Sequence, residues 1–114
     1  MRTIEKQMIC AVYTRKDWRN SNTEVQVVHG GYTVPDIERI NVRLHGNHIA
    51  TIEKDTLTIC DTGWQTTTTK SRLNALLREF CGAGISQNKF KWYLTDNEGT
   101  KEMIMAETYV VKRK

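Results

Sequence analysis

The densest chemistry in this chain lies between Thr66 and Arg72, where four threonines run into Lys70, Ser71 and Arg72. Hydroxyl donors beside cations suit a phosphate or another oxyanion, above all where they open a helix whose free N–H groups carry partial positive charge. The candidate anion-binding residues here are Thr68, Thr69, Lys70 and Arg72, with Arg78 further along the same segment. Cations are mildly unfavourable at a helix start, which asks for a compensating ligand. The plainer account is that one threonine caps the helix and the cations are solvated. A second basic cluster is Lys89, Lys91 and Tyr93, on the outward side of the FKWYL segment. Cations with an aromatic on a sheet bind single-stranded nucleic acid by charge and stacking. Trp92 shares its side with Phe90 and Leu94, so these three are expected in the core, leaving Tyr93 as the stacking candidate.

Other chemistries find less support. His45 and His48 flank one turn and His29 ends an earlier strand, yet no thiol or carboxylate is placed by sequence to complete a metal site with them. GxSxG, GxGxxG and GxxxxGK[ST] are all absent. Gly82 and Gly84 follow the helix instead of preceding it, which puts them at the wrong dipole end for an anion. Asp55, Asp61 and Asp96 read as turn residues, not as opposed catalytic carboxylates. Cys10, Cys60 and Cys81 show no repeated spacing, so each is expected to be a small buried hydrophobe in a reducing compartment. The expectation is a protein that is not an enzyme and uses no metal or cofactor.

The elements that must position these residues follow from periodicity. At 114 residues, 39% hydrophobic and 26% charged, the chain is read as one ordinary globular domain spanning residues 1–114. The net charge of +4 fits solubility and leans weakly toward a polyanionic partner. Leu73, Leu76, Leu77 and Phe80 recur at i, i+3, i+4, i+7 and predict an amphipathic helix over about residues 69–81. Everything else reads as strand and turn. Residues 7–14 (QMICAVYT) suggest a strand buried on both faces, and residues 15–22 a polar loop holding Trp18. A strand over 23–29 ends at Gly30-Gly31, and Pro35 marks a loop. Residues 37–44, 48–53 and 56–61 form a three-stranded antiparallel meander around the His45-Gly46-Asn47 turn. A brief strand over 85–87 enters a turn at Asn88, and two further strands follow near 90–94 and 102–112 (a short helix is the alternative for the last), with Lys112, Arg113 and Lys114 as a frayed tail. The fold class is α+β: a mostly antiparallel sheet of about six or seven strands with one amphipathic helix packed on one face, and Trp64 and Trp92 buried nearby.

Residues 44–50 (LHGNHIA), 63–66 (GWQT), 68–77 (TTKSRLNALL), 85–87 (ISQ) and 92–94 (WYL) together resemble a run of small uncharacterised bacteriophage proteins. The resemblance covers about residues 42–94 and brings no activity or binding residues with it. It implies a viral genome and action in the host cytoplasm; separately, no apolar run approaches the length of a membrane span, so no membrane partner is expected. Three functions are carried forward. The first is a phage accessory protein that binds nucleic acid through a basic face built from Lys70, Arg72, Arg78, Lys89 and Lys91, joined by Arg39 and Arg43 if the meander shares that face. The second is an inhibitor that docks on a host protein, such as a defence or transcription complex, through an edge strand or an apolar patch near Trp18 and Tyr32. The third is a small-molecule or nucleotide binder with a deep pocket at the helix start.

Overall fold

Alternation along β3 (Glu38–Leu44) sends Ile40, Val42 and Leu44 to one side and Arg39, Asn41 and Arg43 to the other, and the computed structural model keeps that division across a whole sheet. The structure describes residues 1–29 and 38–114. The expected features at Gly30, Gly31, Tyr32, Pro35 and Ile37 lie outside the described residues. β1 (Trp18–Asn20), β2 (Thr23–His29), β3, β4 (Asn47–Ile52), β5 (Thr56–Cys60) and β9 (Thr108–Lys112) form a six-stranded sheet in the order β1-β2-β3-β4-β5-β9. Every neighbouring pair is antiparallel. The expected meander is therefore present as β3-β4-β5. At its first turn His45 and Gly46 adopt φ of 52° and 79°, the positive values a two-residue hairpin loop demands.

The inner face of this sheet carries Val25, Ile40, Val42, Leu44, Ala50, Ile52, Leu57, Ile59 and Val111, all buried. Across it lies α2 (Thr67–Cys81), whose Leu73, Leu76 and Leu77 are completely buried and whose Phe80 is nearly so. Fully burying such a side chain contributes about 1.5–3 kcal/mol each, so this stripe is a large part of the core. Thr66 caps the helix, its Oγ1 accepting from the Thr69 N–H at 3.1 Å. At the other end Gly82 takes the left-handed conformation, and the Ala83 N–H donates to the Leu77 carbonyl at 3.2 Å.

Several expectations are corrected. Residues 7–14 are not a strand: they belong to a second helix, α1 (Thr3–Thr14). Glu5, Met8, Ile9 and Val12, at i, i+3, i+4 and i+7, are buried together with Ala11. A charged residue holds the first position of that stripe, so the helical period is hidden in a hydrophobic count. The strands divide into two sheets, since β6 (Gly84–Asn88), β7 (Lys91–Asp96) and β8 (Gly99–Glu102) form a separate antiparallel sheet of three. Ile85, Trp92, Leu94 and Met103 carry its buried side and join the same hydrophobic cluster as the larger sheet. Residues 102–112 are not one strand: β8 ends at Glu102 and β9 starts at Thr108. Trp92 is buried as expected, but Trp64 is 62% exposed and Phe90 is 93% exposed. Cys81 is buried, Cys60 half-buried and Cys10 exposed. The basic tail is docked: the Arg113 N–H donates to the Asp55 carbonyl at 2.9 Å and its guanidinium sits 5.2 Å from the Phe80 ring centre.

Candidate anion-binding cleft at the paired helix starts

The two helices lie side by side and run in the same direction. Glu5 near the start of α1 bonds Arg72 near the start of α2, and Tyr13 near the end of α1 meets Glu79 and Phe80 near the end of α2. Parallel packing brings both N-termini, and the positive ends of both macrodipoles, to one end of the molecule. There a cleft of about 510 Å3 opens between them. Among the described residues its charged lining is Arg2, Lys70 and Arg78 against the single carboxylate of Glu5, and Thr67, Ser71 and Asn74 add polar groups.

Glu5 does not cancel those cations, because it is already committed inward. Glu5 Oε2 lies 2.8 Å from Arg72 Nη1, with both side chains 4% exposed. Ser71 Oγ also donates to Glu5 Oε2. The Arg2 N–H donates to Glu5 Oε1 at 3.4 Å, a long contact. Arg72 Nε donates to Thr23 Oγ1 at 3.0 Å, and the Thr23 hydroxyl passes on to Asn22 Oδ1 at 2.8 Å. This chain of bonds ties α1, α2 and the β1–β2 turn together, and charges survive burial only when satisfied in this way. It corrects the reading of Arg72 as part of a basic surface. Thr69 is likewise buried, its hydroxyl 3.0 Å from that of Thr66.

Of the other sequence candidates, Lys70 and Arg78 line the cleft, while Thr68 is half-buried on the same helix. Lys70 Nζ donates to Gln87 Oε1 at 3.0 Å, which joins the cleft to the β6–β7 hairpin. Lys89 is exposed at the tip of that hairpin. Lys91 and Tyr93 lie on the outward side of the small sheet, where Lys91 pairs with Glu102 at 3.3 Å and Tyr93 sits opposite Glu102 in the ladder. Arg39 and Arg43 lie on the outer face of the large sheet, away from the helices. The cations expected to form one face therefore fall on three surfaces: the cleft, the outer side of the small sheet and the back of the large one.

Two residues escaped sequence reasoning. Arg2 enters the cleft because α1 is a helix; it precedes the strand expected over residues 7–14 and carries no site signal in the sequence. Phe90 was assigned to the core by alternation, but Lys89 and Phe90 take φ of 52° and 67° and form the two-residue turn itself. The turn expected at Asn88 falls on the next two residues, and neither of them is the glycine, asparagine or aspartate that marks such a turn.

The remaining features do not gather around the cleft. His45 and His48 sit at the β3–β4 turn, whereas His29 is at the far end of β2, paired with Glu38. Burial pushes the His48 imidazole below its ordinary pKa, with Arg43 adding to the effect against a bond to the Ala50 backbone. Among the described residues no group of three or more metal-ligating side chains converges. A second cavity of about 560 Å3 at the opposite helix ends holds both signs of charge, with Arg15 3.6 Å from Glu38 and Arg113 bonded to the Glu53 carbonyl. Asp61, read as a turn residue, is buried at 1% exposure. It accepts from Gly63 N–H at 2.8 Å, Ala106 N–H at 2.7 Å and Gln65 Nε2 at 3.0 Å, clamping the loop before α2 to the loop before β9.

Residues 1–113 match the family model described as Kyanoviridae Gp96 protein, and the chain belongs to that bacteriophage family. No curated protein and no solved structure matches it. Among the described residues no helix is long and apolar enough to cross a membrane.

Proposed function

We propose that this Kyanoviridae phage protein is a non-enzymatic accessory protein that binds nucleic acid in the host cell, using the cleft between the two helix starts. The observation that carries the reading is the pairing of two parallel helix N-termini with Arg2, Lys70 and Arg78, while Glu5, the one carboxylate at the cleft among the described residues, is held by Arg72. Oriented backbone N–H groups and unneutralised cations favour phosphate groups. Most of the side chains that line the cleft are polar or charged, and the cations Arg2, Lys70 and Arg78 suit an anionic ligand. Lys89 at the neighbouring hairpin tip extends the cationic path.

Fluorescence polarisation against labelled single- and double-stranded oligonucleotides over a salt series tests it. Three or four neutralised phosphates give a slope of log K against log salt of roughly −2 to −3 on single strands. Lys70→Glu with Arg78→Glu should remove most of the affinity. Absence of low-salt binding in the wild-type protein would refute the reading.

A second reading, docking on a host protein, is favoured by a different feature. The Asp61 clamp brings Trp64 near the Ile104-Met105 stretch, and these side chains are 62%, 49% and 56% exposed. Trp18, suggested for such a patch from the sequence, is half-buried against the core, and Tyr32 lies outside the described residues. Loss of capture of a defined host protein by Trp64→Ser with Met105→Ser would support this alternative; undiminished capture would remove it.

A further inference from the structure

The tip of the β6–β7 hairpin is built from residues that two-residue turns ordinarily avoid. Asn88 pairs with Lys91, leaving Lys89-Phe90 as a two-residue turn with both φ values positive. That geometry favours Asn-Gly, because a Cβ in the left-handed region is strained, and a bulky aromatic there is an outlier. The ring is also 93% exposed, so it gains nothing from the core in return. Cations stand on either side, Lys89 in the turn and Lys91 at the start of β7. The hairpin is anchored beside the proposed cleft, since Gln87, three residues before Phe90, accepts from Lys70 Nζ.

We infer that Phe90 is a stacking platform for an unpaired base of single-stranded nucleic acid whose phosphates follow Lys89 and the helix-start cleft, an inference that rests on the nucleic-acid reading of that cleft. An apolar ring held out in water between cations matches a ligand with π-faces strung on an anionic backbone. In an intact duplex the faces are stacked within the helix and unavailable, so the geometry selects the single strand. The aromatic predicted for this role from the sequence, Tyr93, lies on the side of the small sheet in register with Glu102, which is a poorer approach for a phosphate chain.

The experiment is polarisation titration of an oligothymidylate and of a duplex of equal length with wild type, Phe90→Ala, Phe90→Gly, Phe90→Trp and Lys70→Glu/Arg78→Glu. Phe90→Ala and Phe90→Gly should weaken single-strand binding by about tenfold or more, as removal of a stacking ring does elsewhere. The salt slope should be unchanged, and Phe90→Trp should bind at least as tightly as wild type. Glycine suits the positive φ, so equal losses in the alanine and glycine variants exclude a backbone effect. Unchanged single-strand affinity in both, alongside a weakened cleft variant, would overturn the stacking assignment and leave the cleft reading intact. Equal losses on single strand and duplex would overturn the single-strand assignment. No wild-type binding to either oligonucleotide would overturn both.

Discussion

Glu5→Leu is expected to be among the most damaging single changes in this chain. Its carboxylate lies 2.8 Å from Arg72 Nη1 in a pair whose side chains are each 4% exposed. Leucine leaves the guanidinium buried, still bonded through Nε to Thr23 but without its counter-charge. Removing one partner of such a pair costs about 3–5 kcal/mol, because an uncompensated charge remains in a low-dielectric site. Total stability for a domain is roughly 5–15 kcal/mol, so the variant should be marginal. At about 4 °C per kcal/mol for a chain of this length, the midpoint should fall by about 12–20 °C. Thermal and urea unfolding followed by circular dichroism measure the loss. The double variant Glu5→Leu/Arg72→Leu should recover most of it, since apolar replacement of a whole buried pair is often neutral. High salt should alter the wild-type value little, because buried pairs are weakly screened. A loss below about 1 kcal/mol in the single variant would refute the docking of α1 on α2, since an exposed pair is worth no more than that.

Three further outcomes follow from particular contacts. Asp61→Ala strips the acceptor from Gly63, Gln65 and Ala106, and should cost about 2–4 kcal/mol with faster amide exchange at Ala106, measured by urea unfolding and hydrogen exchange. Thr66→Ala removes the α2 cap and should cost about 1 kcal/mol by the same unfolding assay, with Thr66→Gly costing less. In a thiol-reagent time course Cys10 should react first and Cys81 last. Burial pushes the Cys81 thiol above its ordinary pKa, despite Arg113 and Lys114 nearby, so the folded state holds its proton more firmly than the unfolded chain. The stability this confers is full below the ordinary thiol pKa and is lost as pH rises through the raised folded value; a wild-type stability profile that falls more steeply there than that of Cys81→Ala would show it.

How far the sequence could be read depended on whether a residue's partner lay nearby in the chain. The α2 stripe, its threonine cap, its glycine stop and the β3-β4-β5 meander were all legible. Each rests on spacing, turn chemistry or capping within a few residues. α1 was not legible, because its inward stripe begins with Glu5, whose burial makes sense only once Arg72 arrives from 67 residues away. The same pair explains why Arg72 was mistaken for a surface cation.

The candidate site divides along the same line. By itself the sequence placed Lys70 and Arg78 on a helix that starts with hydroxyl side chains, and that part stands. Only the tertiary structure set α1 parallel to α2, which brings Arg2 and a second helix N-terminus to the same cleft. It also turned Phe90 out of the core, because the ladder register of β6 and β7 makes that residue the turn. The TTTTKSR segment thus serves two ends: Arg72 and Thr69 are locked into the interior, while Lys70 faces the cleft, a division of neighbours that depends on which side of α2 the first helix packs against.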